Sequence, residues 1–201
     1  GGLETLTPLS LARALIDATH PYANIISEQL IGLSRELGIP YVRYERPSAL
    51  APESGDLCES MAQAAERAIA LGRRIFLATG SKDLATFLQA PGANAREWFV
   101  RVTAEPEFIQ RTIDLGVPRS HLCAMQGPFS EALNTALWRD WQIDCVVTKD
   151  SGDAGGYRGK AAAAQALDIP FLVIQRPNLA YPLVTSTFDA VLQQLATWKM
   201  A

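Results

Sequence analysis

The residues best suited to chemistry form one polar segment near the start of the chain, Asp17-Ala18-Thr19-His20-Pro21-Tyr22-Ala23. An apolar run at 11–16 precedes it and predicts a buried strand, and an apolar-periodic stretch at 25–37 follows it and predicts a helix. The polar side chains are therefore expected at the carboxyl edge of a sheet, where open α/β sheets bind their ligands. His20 is one of two histidines. Histidine ordinarily titrates near neutral pH, so His20 suits proton donation or hydrogen bonding to a ligand, or it merely orders the turn before Pro21.

The chain partly repeats itself at an offset of 130 positions. Gly38-Ile39-Pro40-Tyr41-Val42 leads to Arg46-Pro47, and Asp168-Ile169-Pro170-Phe171-Leu172 leads to Arg176-Pro177. The same offset carries the opening polar segment onto Val147-Thr148-Lys149-Asp150-Ser151-Gly152, which again follows an apolar run and precedes a helical pattern. Two copies are too few for a solenoid. They predict two related α/β halves that face each other across a cleft, with the polar loops on its two walls.

Two further loops have the composition of anion sites. Thr79-Gly80-Ser81-Lys82 follows the apolar run at 75–78 and opens a predicted helix, so hydroxyls and free helix N–H groups are available to a phosphate. The same residue types also make an ordinary helix cap. Gln126-Gly127-Pro128-Phe129-Ser130 follows a strand predicted at 121–125, and its serine either contacts a ligand or simply begins the next helix.

The loop after the strand predicted at 143–148 contains a lysine, and burying an ammonium without a partner is costly. Lys149 therefore either pairs with Asp150 or, together with Ser151, faces an anionic ligand. Gly152 and the following Gly155-Gly156 allow this loop to lie close against such a ligand.

Apolar strands alternate with helices along the chain, which predicts mostly parallel sheets with helices on both faces. The strands are expected at 14–17, 41–44, 74–78, 98–102, 121–125, 143–148 and 171–174. The helices are expected at 21–37, 57–71, 82–88, 106–115, 130–141, 157–167 and 187–198. The boundary between the two α/β halves is expected near residues 97 and 98.

Composition narrows the class of protein. The chain has 201 residues, 48% of them hydrophobic, and a formal net charge of −3, which allows one large domain or two small ones. Its acidity argues against a nucleic-acid partner, and no apolar run approaches the ~20 residues that span a bilayer. Three cysteines without a C-x-x-C pattern predict reduced thiols in the cytoplasm. Two isolated histidines make a metal site unexpected, and the oligomeric state stays open.

Several blocks occur in the order typical of one family: Asp-Ala-Thr-His-Pro-Tyr-Ala, Ala-Thr-Gly-Ser-Lys, Gly-Pro-Phe-Ser, Val-Thr-Lys-Asp-Ser-Gly with Gly-Gly behind it, and the Ile-Pro…Arg-Pro exit. Together they resemble the precorrin-6A reductases of cobalamin biosynthesis, the CobK/CbiJ type, over residues 17–177. The resemblance implies an α/β fold of two Rossmann-like halves, 1–97 and 98–201, with the active site in the cleft between them. It implies NADPH-dependent reduction of a double bond in the precorrin-6A or cobalt-precorrin-6A macrocycle, giving precorrin-6B. Family members usually begin with a further strand and a Gly-Gly-Thr-type loop. The given sequence is expected to lack both at its start.

The resemblance also implies roles for the polar loops. His20 and Tyr22 are expected to line the reacting centre as catalytic residues. The expected cofactor-binding residues are Thr79, Gly80, Ser81, Lys82, Gly127 and Ser130. The expected residues for binding the tetrapyrrole are Asp17, Thr19, Arg46, Lys149, Asp150, Ser151, Gly152 and Arg176. The chain has no G-x-G-x-x-G fingerprint after a strand, so a non-catalytic α/β module for a nucleotide or anionic metabolite, and a transferase with a phosphorylated donor, remain alternatives.

Overall fold

A computed structural model describes residues 12–48 and 56–199 of the chain. The strands in this part are β1 Leu15–Asp17, β2 Tyr41–Tyr44, β3 Asp56–Cys58, β4 Arg74–Ala78, β5 Glu97–Val102, β6 Leu122–Ala124, β7 Cys145–Lys149, β8 Phe171–Ile174 and β9 Val184–Thr185. The helices are α1 Asn24–Leu37, α2 Met61–Leu71, α3 Leu84–Leu88, α4 Pro106–Asp114, α5 Glu131–Asp140, α6 Tyr157–Leu167 and α7 Phe188–Lys199.

Contacts divide the chain into two compact units, Gly1–Pro47 with Pro177–Ala201, and Ser48–Arg176. The chain thus leaves the smaller unit after residue 47 and returns to it at residue 177. The boundary expected between residues 97 and 98 does not coincide with this division. It falls at the start of β5, which pairs in parallel with β4 from Arg74↔Glu97 to Leu77↔Val100. That boundary would therefore assign two strands joined by backbone hydrogen bonds, β4 and β5, to different halves.

The smaller unit contains a parallel sheet in the order β1-β2-β9. Helix α1 ends at Gly38, whose φ of 63° is the left-handed conformation that glycine adopts without strain. The register places Asp17 at the end of β1 directly beside Arg43 of β2. Opposite charges therefore meet at the carboxyl edge of this sheet. The buried core beneath them is formed by Leu15, Ile31 and Tyr41.

The larger unit contains a six-stranded parallel sheet in the order β3-β8-β7-β4-β5-β6. Its central strands are continuous apolar runs, as expected for strands that helices cover on both faces. Helices α5 and α6 cover one face, and the alanines of α6 allow a close approach to the sheet. The core on that face consists of Phe76, Phe99, Trp138, Ile143, Val146, Ala163 and Ala164.

The predicted fold class, α/β with parallel sheets, is confirmed. Strands β2, β4 and β8 and helix α6 have the predicted bounds. Strands β3 and β9 were not predicted, and the helix expected at 57–71 is wrong at its start. Helix α2 begins at Met61 because the Ser60 side chain accepts a hydrogen bond from the Gln63 N–H, while Leu57 and Cys58 pair with β8.

The internal repeat has a structural counterpart in each unit. The smaller unit contains β1-α1-β2 and the larger unit contains β7-α6-β8. In both, the strands before and after the helix pair in parallel. The repeated sequence pattern therefore corresponds to a repeated βαβ unit, with a polar loop between the first strand and the helix.

Candidate functional site

The larger unit has a topological switch point between β4 and β7. The chain runs outward from β4 through β5 to β6 and then returns to β7, on the other side of β4. In open α/β sheets the loops diverge at such a point and leave a crevice at the carboxyl edge, where ligands bind. The strands that flank this crevice end at Ala78 and Lys149. The structure therefore places two of the predicted polar segments there, 79–82 and 149–152.

The loop after β4 presents a buried hydroxyl to this edge. Thr79 and Ser81 are both buried, and the Thr79 Oγ1 has no hydrogen-bond partner in the described part of the chain. Gly80 has a φ of 83°, which only glycine adopts readily, and Lys82 is exposed. The helix that follows, α3, has only five residues, so any anion at this position would depend on the loop rather than on a long helix dipole.

A lysine at the end of β7, Lys149, bridges the crevice. The Lys149 ammonium lies 2.8 Å from the Asp83 carboxylate and its side chain is 13% exposed. The sequence left open whether Lys149 pairs with Asp150, and the structure gives it an ion pair with Asp83. Because Asp83 follows the β4 loop, this contact joins the two loops on opposite sides of the switch point.

Asp150 and Arg176, both expected to bind substrate, are brought together as a buried ion pair. Asp150 is 1% exposed, and its Oδ2 lies 2.9 Å from the Arg176 Nε and accepts a hydrogen bond of 2.7 Å from the Ser48 hydroxyl. The Gly152 N–H donates to Oδ1 over 3.3 Å. The pair therefore fixes the loop after β7 to the segment that follows β8.

The glycines of the β7 loop are required by its geometry. Gly152 has a φ of 68°, and a Cβ on Gly155 would lie 2.2 Å from the side chain of Ser151. The Ser151 hydroxyl donates to the Gly155 carbonyl over 3.2 Å. The loop is thus a compact turn that leads directly into α6.

The loop after β6 packs against the start of α6. Ser130 caps α5 by accepting a hydrogen bond from the Leu133 N–H, which is the structural alternative that the sequence left open. Gly127 is exposed, and a Cβ on Gly159 of α6 would lie 2.7 Å from the Phe129 carbonyl oxygen. The close approach of this loop to α6 therefore depends on glycine.

Two buried cations also lie at this edge, and sequence reasoning gave no role to one of them, Lys160. Arg101 of β5 and Lys160 of α6 are each 7% exposed. Burial and the neighbouring Arg101 guanidinium lower the pKa of Lys160 to about 8, although Asp150 attracts its ammonium. Burial likewise lowers the pKa of Arg101. Lys160 stands among alanines in the sequence. The signal that would have singled it out is a charged side chain on a helix face that otherwise consists of small residues packed against the sheet.

In the smaller unit, Asp17 and Thr19 belong to a buried polar network around Arg43. The side chains of Asp17 and Arg43 are both 0% exposed and lie 2.7 Å apart. Thr19 donates its backbone N–H and its hydroxyl to Asp17, Arg43 donates to the Thr19 carbonyl, and the Tyr41 hydroxyl donates to Asp17 over 2.7 Å. Asp17 is therefore placed to hold the following loop in shape.

This network sets the charge of Asp17. Burial alone raises the pKa of the carboxyl group, but hydrogen bonds from Ser27, Tyr41 and Thr19 outweigh that effect and lower the pKa to about 2. Burial and the bond to the Asp17 carboxylate raise the pKa of Tyr41. The carboxylate is thus ionised, and the phenol neutral, across the physiological range.

His20 and Tyr22 lie on the same loop, where His20 is exposed and Tyr22 is partly buried. The Tyr22 N–H donates to His20 Nδ1 over 3.3 Å, and the two rings are 5.7 Å apart between centroids. A neutral imidazole that accepts at Nδ1 carries its proton on Nε2. In that neutral form, the exposed His20 ring is a donor at Nε2. Arg46, which follows β2, is partly buried in the same unit.

Neither a metal centre nor a membrane span is found in the described residues. No group of three His, Cys, Asp or Glu side chains there is arranged to hold a metal ion, and none of the described helices is long and apolar enough to cross a bilayer. The three cysteines, Cys58, Cys123 and Cys145, are buried free thiols.

Comparisons with known proteins agree on one family. The family model described as precorrin-6x reductase CbiJ/CobK matches residues 2–196. The chain is 34% identical over 186 residues to the cobalt-precorrin-6A reductase of Priestia megaterium, which covers 91% of this chain and 72% of that protein. It is 37% identical over 186 residues to the precorrin-6A reductase of Rhodococcus erythropolis, with 91% and 70% covered. A solved structure described as CobK precorrin-6A reductase superposes with a TM-score of 0.79 at 28% identity, covering 98% of this chain and 77% of that one.

Proposed function

Because the chain belongs to the precorrin-6x reductase CbiJ/CobK family, we propose that it reduces one double bond of the precorrin-6A or cobalt-precorrin-6A macrocycle, giving precorrin-6B, with NADPH as the reductant. The observation that carries the proposal is the switch-point crevice of the larger unit, which has the residues of the family-typical Thr79 and Lys149 loops on its two sides. A ligand with anionic groups fits this edge.

The residues of the crevice fit a nucleotide cofactor. The buried Thr79 Oγ1 has no partner among the described residues, and a hydroxyl in that state is satisfied by a ligand oxygen. Gly80 lets the backbone approach a ligand closely, and Gly127 and Ser130 lie at the end of another strand of the same edge. NADPH would supply a hydride when bound, and the protein would supply its position and the surrounding charge.

The residues of the chain have distinct proposed roles. Lys149, Ser151 and Gly152 would contact anionic groups, while Asp150 and Arg176 hold that loop in place through their ion pair. His20 and Tyr22 would line the reacting centre, where His20 is placed to donate a hydrogen bond or a proton. Asp17, which we expected to bind substrate, would position the His20 loop through Thr19, since its carboxylate is fully buried.

The test is equilibrium binding of NADPH and of NADH by calorimetry, followed by NADPH oxidation in the presence of the macrocycle. We expect NADPH to bind, and the macrocycle to cause its oxidation with a change in the tetrapyrrole spectrum. Thr79→Val should weaken NADPH binding several-fold without lowering the melting temperature, because it removes a hydroxyl that has no partner in the described structure.

The matched control is Thr86→Val, which makes the same change at an exposed position of α3 and should leave binding unchanged. Nucleotide binding without any oxidation of NADPH would support a non-catalytic binding module instead. Transfer of a group to an acceptor without redox change would support a transferase.

A further inference from the structure

The two buried cations of the larger unit, Arg101 and Lys160, lie on the same face of the sheet, near its carboxyl edge. Phe76, Phe99 and Val146 belong to the core on the α5 and α6 side. Side chains alternate between faces along a strand, so the residues two positions later, Ala78, Arg101 and Thr148, lie on that same side at its carboxyl end. Ala78 pairs with Thr148, and Lys160 of α6 donates to the Thr148 hydroxyl over 2.7 Å.

The donors of Arg101 are incompletely satisfied. Its Nη1 donates to Asn134 over 2.8 Å, while the buried Nε and Nη2 have no partner within hydrogen-bonding geometry in the described residues. The Cys123 thiol on the neighbouring strand favours the charge of Arg101, but a thiol is a weak acceptor. The guanidinium lies over the rings of Phe129 and Phe76, 4.1 and 4.9 Å from their centroids. Ring stacking covers the faces of the guanidinium but gives the Nε and Nη2 N–H groups on its edge no oxygen acceptor.

Neither cation has the partner that buried charges normally have. Within the described part of the chain, no carboxylate forms an ion pair with Arg101 or Lys160, and the nearby Asp150 is bonded to Arg176. Two like charges buried near each other are costly unless an anion compensates them. Ala78, the strand residue between Thr148 and Arg101 on this face, is small and only partly buried.

We propose that Arg101 and Lys160 form an anion-binding subsite, centred over Ala78, that accepts a single oxyanion. The oxyanion would be carried by a ligand of the reaction, either a phosphate of the cofactor or a carboxylate of the macrocycle. The choice between these two sources rests on the proposed function, whereas the subsite itself rests on the two buried cations. The Phe129 ring over Arg101 would limit access of water to the bound group.

The subsite is tested with inorganic phosphate and succinate as probes, by thermal unfolding at constant ionic strength. Phosphate or succinate should raise the melting temperature of the unaltered protein, because a ligand that binds the folded state stabilises it. The stabilisation should vanish in Lys160→Met and in Arg101→Gln. Lys160→Met alone should have the same or a higher melting temperature, since it removes a desolvated charge.

The ligand source is assigned with the same variants. A loss of NADPH affinity of about tenfold or more, with an unchanged KM for the macrocycle, identifies a cofactor phosphate. The converse identifies a carboxylate of the macrocycle. Arg158→Gln is the control, because Arg158 is on the same helix but is 81% exposed, and it should change neither affinity.

A purely structural role gives a different pattern. The proposal is overturned if both variants lower the melting temperature while probe stabilisation, NADPH affinity and KM all stay within twofold of the unaltered protein. The anion probes do not require turnover, so an inactive protein that still loses phosphate binding in the variants would reject the proposed reaction and retain the subsite.

Discussion

At the scale of single residues, the two histidines have opposite environments. His20 is exposed on a polar loop at the carboxyl edge of its sheet. His121 is partly buried, stacks on Phe99 at 4.0 Å between centroids, and its Nδ1 lies 3.2 Å from the Trp98 carbonyl oxygen. Their exposure therefore separates a candidate for chemistry from a packing residue.

Substitution of the two histidines should consequently separate turnover from stability. We expect His20→Ala to lower kcat by about 10²-fold or more if His20 donates a proton, with little change in melting temperature because the ring is exposed. His121→Ala should lower the melting temperature while turnover per folded molecule is retained. Steady-state kinetics with thermal unfolding measures both, and equal loss of stability with unchanged turnover in His20→Ala would contradict a role in the reaction.

The polar residues show how far a sequence can specify a site. The positions of Thr79, Lys149 and Ser130 at strand ends followed from apolar runs and glycines, and the structure places all three at one sheet edge. Which of them bond to one another did not follow. Lys149 meets Asp83 across the switch point, because strand order, rather than sequence distance, brings their loops together. Lys160 is marked in the sequence only as a charge among alanines, and its buried environment arises when α6 packs on the sheet.

At the scale of elements, strong periodicity predicted long elements well and short elements poorly. Helix α6 has its predicted bounds, since its small residues run between a glycine-rich loop and the Asp168 cap. Strand β3 has three residues, which is too short for an alternating pattern. It forms because Leu57 and Cys58 pair with Val173 and Ile174, a partnership more than 100 residues away that no local window contains.

The contact between α6 and the loop after β6 makes a prediction at this scale. A Cβ on Gly159 would lie 2.7 Å from the Phe129 carbonyl oxygen and 3.3 Å from the Glu131 nitrogen. Because both are backbone atoms, Gly159→Ala must displace α6 or the loop, and we expect it to cost about 1–3 kcal/mol of stability. If the Gly127–Ser130 loop contacts the cofactor, NADPH affinity should fall as well.

Gly32 provides the matched control for that substitution. It lies inside α1, and a Cβ there would meet no atom within 4 Å. Gly32→Ala should therefore raise the stability by about 0.5–1 kcal/mol, because alanine is the better helix former. Urea unfolding of both variants measures the difference. A Gly159→Ala variant as stable as the unaltered protein would show that the loop yields without cost.

At the scale of the whole molecule, the chain builds two separate sheets from one repeated βαβ pattern. The smaller sheet is completed by β9, which comes from the end of the chain, and the larger sheet is completed at its edge by β3. The repeat was visible in the sequence, but the addition of the short strands β9 and β3 to the two sheets was not. The predicted cleft between two halves stays a prediction.

The smaller unit has its own electrostatic support, which makes its acid stability separable from that of the larger unit. The pKa of Asp17 is about 2 in the folded chain against 3.8 ordinarily, so its ionised form stabilises the fold. For a carboxyl group with a lowered pKa, this contribution of about 2 kcal/mol is fully present above pH 4 and is lost as pH falls through about 2. Asp17→Asn removes the charge and leaves the Arg43 guanidinium buried without it, which should cost about 3 kcal/mol at pH 7.

Hydrogen exchange read by mass spectrometry can locate that loss. In Asp17→Asn at pH 7, amide protection should fall in β1, α1 and β2, while β4, β7 and α6 of the larger unit keep theirs, because the Asp17 network makes its described contacts within the smaller unit. The difference between variant and unaltered protein should shrink between pH 4 and pH 2, as the unaltered carboxylate takes up its proton. Glu28→Gln, an exposed change on α1, should show neither effect. An equal loss of protection in both sheets would mean that the two units unfold as one cooperative structure, and that the polar network of the smaller sheet supports the larger one as well.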